Sequence, residues 1–270
     1  MRVSVVTISF NQADFLEKAI LSVLDQDYGD LEYIVVDPGS TDGSRDIIEK
    51  YSSRISKVVL EPDKGPADGL NKGFQVATGD ILGFLNSDDL LLPGAVTKVV
   101  NAFKENRSID VISGHTTIID ESDNILRLSY SDNYSAIKAA YKAAYLMQPS
   151  TFFKADKFLS VGGFNPNNRS NWDGELWLDL YQSGASFLVI NKFLSSYRLT
   201  GSSITGSKKI DDLIKEFNRR RFEKVLRRSP SYFDIPIFWL FKLIRFFTNP
   251  GNFYQKILNG KVYGRKVVTS

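Results

Sequence analysis

The first half of the chain alternates short apolar, β-branched segments with segments that have helical spacing. Strands are predicted at Val3–Ser9, Leu31–Val36, Lys57–Leu60 and Asp80–Leu85, and helices at Asp14–Asp25, Ser44–Tyr51 and Ala67–Ala77. Near-continuous apolar strands that are connected by helices indicate a parallel sheet covered on both faces. The sequence therefore predicts an α/β fold. In such folds, ligands bind in the crevice outside the carboxyl ends of the strands.

Polar side chains follow each of the four predicted strands at the point where the strand ends. They are Thr7, Ser9 and Asn11, then Asp37, then Asp63 and Lys64, and finally Asn86 and Asp88. Because the carboxyl ends of parallel strands meet at one edge of a sheet, we expect these residues to converge on one crevice. The chain has neither G-x-G-x-x-G after its first strand nor the P-loop pattern, which weighs against a dinucleotide dehydrogenase and an NTPase.

The fourth strand ends in a cluster of acidic residues, which predicts a site for a divalent metal ion. Asp88 and Asp89 follow Asn86 closely, and Mg²⁺ is commonly held by one or two carboxylates together with the phosphates of a substrate. The chain has no cysteine and a single histidine, so any metal must be bound by oxygen. The alternative is that Asp88 and Asp89 cap a helix that begins near Pro93.

Several segments of the chain resemble family-2 glycosyltransferases of the GT-A fold. The matching segments are Val5–Asn11, Ile20–Gln26, Val35–Ser44, Asn71–Gly73, Phe84–Asp89, Gly162–Phe164 and Trp172–Trp177. They lie within residues 3–200, in the order typical of the family. The resemblance implies transfer of a sugar from a nucleoside-diphosphate sugar to an acceptor hydroxyl, with inversion at the anomeric carbon. It also implies a Rossmann-like fold with a mostly parallel central sheet.

The resemblance further implies which residues bind the donor. The predicted nucleotide-binding residues are Thr7, Ser9, Asn11, Asp37, Lys64, Lys72, Asn86 and Ser87. Asp37, at the end of the second strand, matches the position that would bind the uracil edge if the donor carries UDP, which is the expected nucleotide. Lys64 and Lys72 can reach the diphosphate from the segment before the fourth strand. Solvated surface lysines are the alternative for these two.

Asp88 matches the metal-binding aspartate of the family's D-x-D motif, and the expected cofactor is Mn²⁺ or Mg²⁺. A bound cation stabilises the negative charge that develops on the departing nucleoside diphosphate. The first position of the motif is Asn86 in this chain rather than an aspartate. An amide can offer a carbonyl oxygen or bond to a ribose hydroxyl, but it attracts a metal less strongly than a carboxylate.

The predicted catalytic base lies in the last of the matching segments. Aligning Leu176-Trp177-Leu178 with the family's E-D-x-x-L-W-L pattern places Asp173 at the catalytic aspartate, with Trp172 in place of the preceding glutamate. Glu175 is the competing candidate, because one helical slip would exchange the two. The alternative for both acids is stabilisation of a first helical turn by the helix dipole. Trp177 falls in an apolar helical pattern and is expected in the core.

The C-terminal part of the chain differs in charge from the rest. Residues 1–200 hold 19 Lys and Arg against 26 Asp and Glu, a net charge of −7, whereas residues 201–270 hold 15 against 5, a net charge of +10. The apolar run Ile235–Leu240 contains Pro236 and is well short of the ~20 residues of a spanning helix. A basic, aromatic helix suits a bilayer interface with anionic head groups. The alternatives are a helix packed on the domain and a nucleic-acid site, for which no motif is present.

Three segments are predicted: a nucleotide-sugar-binding half at residues 1–110, an acceptor-binding half at 111–205, and a membrane-associating helical segment at 206–270. The N-terminus lacks a secretory signal pattern, so the expected location is cytoplasmic, peripheral on the inner face of the cell membrane.

The expected acceptor is a saccharide of surface polysaccharide synthesis, carried on a polyprenyl diphosphate, and nucleic acid is not expected as a partner. A non-catalytic sugar-nucleotide or carbohydrate-binding module and a nucleotidyltransferase are the alternatives.

Overall fold

A nine-stranded sheet forms the centre of the computed structural model, which describes residues 1–168, 170–200 and 208–260. The strands are β1 (Val3–Ile8), β2 (Leu31–Val36), β3 (Lys57–Val59), β4 (Ile81–Asn86), β5 (Leu90–Leu91), β6 (Val111–Ile119), β7 (Ile125–Ser129), β8 (Thr151–Lys154) and β9 (Phe187–Arg198). The helices are α1 (Ala13–Leu24), α2 (Ser44–Lys50), α3 (Pro66–Gln75), α4 (Ala95–Glu105), α5 (Ala136–Ala140), α6 (Ala155–Ser160), α7 (Trp172–Gln182), α8 (Lys208–Leu226), α9 (Asp234–Thr248) and α10 (Pro250–Asn259). A short 3₁₀ turn, Gln148–Ser150, precedes β8.

The sheet is mostly parallel, as the sequence predicts. The strand order is β3-β2-β1-β4-β8-β6-β9-β5, with β7 paired to β6. The first four strands are parallel to one another, and β8 is antiparallel to both β4 and β6, so β6 runs in the direction of β4. Strand β9 is parallel to β6. The carboxyl ends of β1, β2, β3, β4, β6 and β9 therefore share one side of the sheet, called here the carboxyl edge.

Both faces of the sheet are covered by helices, which explains why the strands are apolar throughout. One core contains Val3 and Val5 of β1 together with residues of α1 and α4, and the other contains Val6 with residues of α3, α6 and α7. Each fully buried aliphatic or aromatic side chain of this kind contributes about 1.5–3 kcal/mol relative to an exposed one. The predicted parallel sheet with two covered faces is confirmed.

Helix α3 holds the two halves of the domain together. A Cβ atom added at Gly73 would lie 2.5 Å from Val6 Cγ1, so glycine is what allows this helix to approach β1 so closely. Asn71, two residues earlier, donates from Nδ2 to the carbonyl oxygen of Phe164 at 2.8 Å and accepts from the Phe164 amide at 2.9 Å. The side chain of Asn71 is thus hydrogen-bonded to the backbone of a residue that lies 93 positions later in the sequence.

The C-terminal helices pack on the domain. Phe222 of α8 forms a small core with Ala140 and Tyr141, against which Phe238 and Phe241 of α9 also pack. None of the helices in the described ranges is long and apolar enough to cross a membrane. The predicted boundary between residues 205 and 206, and the last ten residues of the predicted segment, lie outside the described residues.

Polar contacts also fasten these helices to the domain. The Asp234 carboxylate accepts from both terminal nitrogens of Arg228 at 2.7 and 2.6 Å and from the Tyr141 hydroxyl at 2.8 Å. Further along α9, Arg245 pairs with the buried Asp132 at 3.0 Å. One face of these helices is therefore packed on the domain, as the alternative to a membrane-associating segment predicts.

Candidate active site

The end of β2 presents a buried carboxylate with one unused oxygen. Asp37 is fully buried, and its Oδ1 accepts from the backbone amides of Gly39 and Ser40 at 3.0 and 2.8 Å. Its Oδ2 has no hydrogen-bond partner among the described residues, and the same is true of the hydroxyl of Ser9, which is also buried. Buried polar atoms normally have partners, so these two atoms mark a place where a polar ligand would complete the structure.

Arg45 also takes part in this end of the crevice and was missed in the sequence interpretation. It lies in the first turn of α2, and its Nε donates to Asp37 Oδ1 at 3.2 Å while its Nη2 donates to the Asp37 carbonyl at 3.3 Å. A cation in the first turn of a helix opposes the helix dipole. That unfavourable position was the signal available in the sequence.

The loop after β1 is tied to the loop after β2. Asn11 has a left-handed backbone with φ of 52°, its amide donates to Ser40 Oγ at 2.8 Å, and its Oδ1 accepts from the Thr41 amide at 2.9 Å. Asp42 accepts from the amide of Ala13 at 2.9 Å, which makes it a cap for α1 rather than a ligand-binding residue. Asp42 also accepts from the amide and the hydroxyl of Ser44, the first residue of α2, at 3.0 and 2.6 Å.

Thr7 lies beneath the crevice rather than in it. Its side chain is fully buried, and its hydroxyl accepts a hydrogen bond from Tyr33 Oη at 3.0 Å in the core. This hydrogen bond gives the buried Tyr33 hydroxyl a partner, and burial raises the pKa of that hydroxyl. The predicted contact between Thr7 and a nucleotide stays a prediction, and this placement makes Ser9 the better candidate at the end of β1.

The two predicted lysines differ in their surroundings. Lys64 is exposed, and its backbone amide donates to Asp68 at 2.9 Å. The Lys72 ammonium donates to the Pro62 carbonyl and lies 4.0 Å from carboxylates of both Glu61 and Asp68. Neighbouring acids thus already compensate the charge of Lys72, and the predicted contact of either lysine with a diphosphate remains untested.

The D-x-D segment forms a tight turn at the end of β4. Asn86 Nδ2 donates to Asp89 and to Gln148 Oε1, both at 3.3 Å. These bonds use the amide nitrogen of Asn86 and not its side-chain oxygen Oδ1. Ser87 is buried and Asp88 is half-buried. Gln148 also donates to the Phe84 carbonyl at 2.8 Å. Gln148 is a second residue of this region that the sequence interpretation missed.

Asp89 is part of the structural support of this turn. It is fully buried, and its Oδ1 accepts from the backbone amide of Arg198 at 2.9 Å. Burial, followed by the charge of Asp88, raises the pKa of Asp89 well above its usual value. The short strand β5 follows directly, and α4 begins only after Gly94, so the interpretation of Asp88 and Asp89 as helix caps is wrong.

Arg198 supports the same turn from the end of β9 and was also missed. Its side chain is fully buried, donates from Nε to the Asp88 carbonyl at 2.9 Å, and pairs through Nη2 with Asp123 at 2.6 Å. Its guanidinium also lies 4.9 Å from the ring centre of Phe15. The turn that carries Asp88 is therefore held by Gln148 and Arg198, and Arg198 is itself held by Asp123.

Asp88 has the environment of a metal ligand. Burial raises the pKa of its carboxyl group, with the charge of Arg198 acting in the opposite direction. No lysine or arginine of the described ranges forms an ion pair with it, and these ranges contain no group of three or more acidic or histidine side chains that could hold a metal by themselves. A single half-buried carboxylate with an amide oxygen nearby fits a cation whose remaining ligands are substrate phosphates and water.

The two candidate bases at the start of α7 have different partners. Glu175 accepts from Asn165 Nδ2 at 3.1 Å and from Asn168 Nδ2 at 2.5 Å, so both of its oxygens hold the loop before the helix. Asp173 forms no ion pair within the described part of the chain, and burial raises the pKa of its carboxyl group. The geometry therefore favours Asp173 over Glu175 as a residue that can accept a proton.

The topology places Asp173 on the same side of the molecule as Asp88. Helix α7 leads through a short turn into β9, whose first residue pairs with Val111 at the amino end of β6. The last turn of α7 is thus at the amino side of the sheet, and its first turn is at the carboxyl edge. Trp177 lies buried in the core as expected, and Trp172 packs partly buried against the same cluster.

Comparison with known proteins agrees with this arrangement. The family model for glycosyl transferase family 2 matches residues 4–159. A putative teichuronic acid biosynthesis glycosyltransferase of Bacillus subtilis, TuaG, is 30% identical over 209 residues, which cover 76% of this chain and 82% of that protein. The GalNAc(5)-diNAcBac-PP-undecaprenol beta-1,3-glucosyltransferase of Campylobacter jejuni is 30% identical over 206 residues, covering 73% of this chain and 65% of that protein.

Solved structures share the fold at low sequence identity. Staphylococcus aureus TarS (residues 1–349) in complex with UDP has a TM-score of 0.61 at 18% identity, covering 84% of this chain and 71% of that chain. The mannosyltransferase PcManGT of Pyrobaculum calidifontis, in complex with GDP-Man and Mn²⁺, has a TM-score of 0.63 at 18% identity, covering 95% and 74%. The family model matches more than half of the chain, and the Bacillus subtilis relative is 30% identical over most of both proteins, so the chain belongs to glycosyl transferase family 2.

Proposed function

We propose that the protein is an inverting, divalent-metal-dependent glycosyltransferase that moves a sugar from a UDP-sugar to a hydroxyl of a lipid-linked saccharide. The observation that carries this proposal is the presence of two differently placed carboxylates at one edge of the sheet. Asp88 is held in a hydrogen-bonded turn and forms no ion pair with a lysine or arginine of the described residues, and Asp173 lies in the first turn of a separate helix. Asp88 would hold the metal ion that stabilises the leaving diphosphate, and Asp173 would take the proton of the incoming alcohol.

The donor would lie across the ends of β1, β2 and β4. Asp37 Oδ2 and the Ser9 hydroxyl have no partner among the described residues, and Arg45 holds Asp37 in place. The Asp37 oxygen would accept from a base N–H, as in uracil, and the Ser9 hydroxyl would donate to or accept from the same nucleotide. A divalent ion held by Asp88, with the carbonyl oxygen of Asn86 beside it, would act as a Lewis acid toward the diphosphate. The rigid turn around Asp88 keeps that carboxylate in position throughout the reaction.

The acceptor would approach from the side of α7. As the bond between the anomeric carbon and the diphosphate oxygen breaks, the acceptor oxygen bonds to the opposite face of that carbon. Its proton passes to the Asp173 carboxylate, which is the general base of the step. Glu175 contributes by holding Asn165 and Asn168, which shapes the loop on which the acceptor would rest.

Known relatives support this choice of substrates. The name of the Campylobacter jejuni relative specifies an undecaprenol-diphosphate-linked saccharide, and that of the Bacillus subtilis relative specifies teichuronic acid biosynthesis. TarS has been crystallised with UDP and with UDP-GlcNAc, and the Pyrobaculum enzyme with GDP-Man and Mn²⁺. A UDP-sugar, a Mn²⁺ or Mg²⁺ ion and a lipid-linked acceptor are therefore the substrates and cofactor we infer for this chain.

The test is to incubate the purified protein with UDP-, GDP- and dTDP-sugars, a lipid-diphosphate-linked saccharide and either Mn²⁺ or Mg²⁺. We expect release of UDP from one UDP-sugar, dependent on the saccharide and abolished by EDTA. Formation of UTP and sugar 1-phosphate from the UDP-sugar and added pyrophosphate would instead identify a nucleotidyltransferase. Tight UDP-sugar binding without any turnover would identify a non-catalytic binding module.

We also propose that the protein lies on the inner face of the cell membrane through one face of α9 and α10. Trp239, Leu243 and Phe247 repeat at four-residue spacing on α9 and are 62%, 54% and 71% exposed. Phe246 of α9 and Phe253 of α10 are in contact, with ring centres 4.7 Å apart, so the exposed apolar side chains of the two helices adjoin. Lysines on the same helices are available for anionic head groups.

Replacing Trp239, Leu243 and Phe247 together by serine is expected to weaken binding to phosphatidylglycerol vesicles more than about tenfold. Each large apolar side chain contributes about 1.5–3 kcal/mol when it is fully buried, and 1.4 kcal/mol corresponds to a factor of ten. Sedimentation with vesicles measures the binding. Serine at Leu60, Ile125 and Leu159, which are exposed on the domain, is the control. Equal sedimentation of the two triple variants would contradict the proposed membrane face.

A further inference from the structure

A buried arginine near Asp173 has no carboxylate partner. Arg221 of α8 is only 7% exposed, and no carboxylate of the described residues lies within ion-pair distance of its guanidinium. Its Nη2 donates to the neutral side chain of Asn218 at 2.7 Å, its guanidinium also forms a hydrogen bond with Tyr145, and its Nε has no hydrogen-bond partner among the described residues. A buried charge is normally paired, so this arrangement is incomplete without an anion.

Contacts around Arg221 connect it to the predicted base. The guanidinium lies 5.3 Å from the ring centre of Phe217. That ring in turn lies against Gly174, where an added Cβ would be 3.2 Å from the tip of the Phe217 ring. Gly174 is the residue next to Asp173, and the charges of Arg221 and Asp173 act on each other across this short distance. Arg221 is thus beside the start of α7, where the acceptor would approach.

A second cation, Lys142, adds to the positive charge around Arg221. Lys142 follows α5 in a left-handed backbone conformation, and the ring of Tyr141, the residue before it, lies 5.4 Å from the ring of Phe222, the residue after Arg221. Partial desolvation, together with the charges of Arg221 and Lys242, lowers the pKa of Lys142, although the residue is exposed. It forms no ion pair within the described ranges. Two cations that repel each other cost stability where they are held close together, and a bound oxyanion would relieve that cost.

On the basis of the proposed function, we propose that Arg221 and Lys142 bind a phosphate or carboxylate group of the acceptor and so orient its hydroxyl toward Asp173. The substrate class is therefore an anionic saccharide acceptor. The diphosphate of the donor is the other source of the same chemistry. It would lie at Asp88, which is held by a different set of contacts, so the two sources can be separated by experiment.

The test measures binding of inorganic phosphate to the full chain saturated with UDP and Mg²⁺, by titration calorimetry. Arg221→Met removes the charge and keeps an apolar side chain against Phe217, and we expect phosphate affinity to fall at least about tenfold, the loss of one charge-assisted hydrogen bond. Lys142→Met, at an exposed position, is expected to weaken phosphate binding as well. Arg220→Met is the matched control, because Arg220 is half exposed and lies 3.7 Å from Glu216 on the same helix.

Three outcomes would overturn this proposal. Equal phosphate affinity of the Arg221→Met, Lys142→Met and Arg220→Met variants would show that the cations bind no anion. Weaker UDP binding in Arg221→Met would assign the anion to the donor. A lower kcat and a shifted pH profile without any change in phosphate binding or acceptor KM would make Arg221 a positioning residue for Asp173. Phosphate binding needs no turnover, so it reports on this site even if sugar transfer fails with every donor.

Discussion

Asparagine at position 173 is expected to reduce the rate of sugar transfer about 10²–10⁴-fold, the usual contribution of a general base. The substitution keeps the size of the side chain and removes its ability to take the acceptor proton. UDP binding should be unchanged within about twofold, since the donor residues lie on other elements. Initial rates of UDP release at saturating substrates, together with UDP affinity by calorimetry, measure the two effects.

Glu175→Gln is the matched control for this experiment. It removes the same charge from the same helix turn, but its amide can still accept one of the two hydrogen bonds from Asn165 and Asn168. We expect a loss of at most about tenfold, from a loosened loop. A larger loss in Glu175→Gln than in Asp173→Asn would assign the base to Glu175.

The pH dependence of transfer follows from the environment of Asp173. Burial raises the pKa of this carboxyl group above its usual value, and only the ionised form can accept a proton. The rate should therefore fall as the pH decreases through that raised pKa, at a higher pH than for an exposed aspartate. The acidic limb of the profile should be absent from the residual activity of Asp173→Asn.

Asp88→Asn is expected to lower transfer about 10²–10³-fold and to raise the Mn²⁺ concentration needed for half-maximal activity. The substitution keeps the turn geometry and removes the only charged ligand that the described residues provide for the metal, so the charge on the leaving diphosphate is stabilised less. Activity measured across a metal titration gives both values. Asp25→Asn, at an exposed ion pair with Arg54, is the control for loss of one negative charge.

Asp88 is a useful test because its neighbour has a different role. Asp89 accepts a hydrogen bond from the Arg198 amide, so replacing it would disturb the turn itself. An Asp88→Asn variant that keeps full activity at every Mn²⁺ concentration would contradict the metal assignment. Such a result would indicate that Asn86 and the substrate phosphates are sufficient to bind the metal ion.

The parallel part of the sheet could be predicted from the sequence because its strands are buried on both faces. Apolar character then extends over every residue of a strand, as in Ile81–Asn86, and the helices between strands are recognised by their spacing. The antiparallel additions β5, β7 and β8 were not predicted. They are short strands of two to five residues, and their pairing depends on contacts with distant segments rather than on local pattern.

The acidic residues of the site could be predicted, whereas the arginines could not. Asp37, Asp88 and Asp173 occupy motif positions, and each is adjacent to a strand end or helix start. Arg198 pairs with a turn that is 110 residues away in the sequence, which no local pattern reveals. Arg221 is the last of three consecutive arginines in the basic C-terminal part of the chain. Successive helix positions point about 100° apart, so one of the three is directed into the protein.

The pair of hydrogen bonds between Asn71 and Phe164 has a consequence for engineering. It fastens the part of the chain that would select the donor to the part that would select the acceptor, through atoms of one side chain and one peptide group. A chimera that exchanges residues after Gly163 for those of a relative will keep the two specificities aligned only if an asparagine remains at position 71. The Phe164 side chain must be kept as well, because it is buried and packs against the rings of Phe74, Phe84 and Phe158.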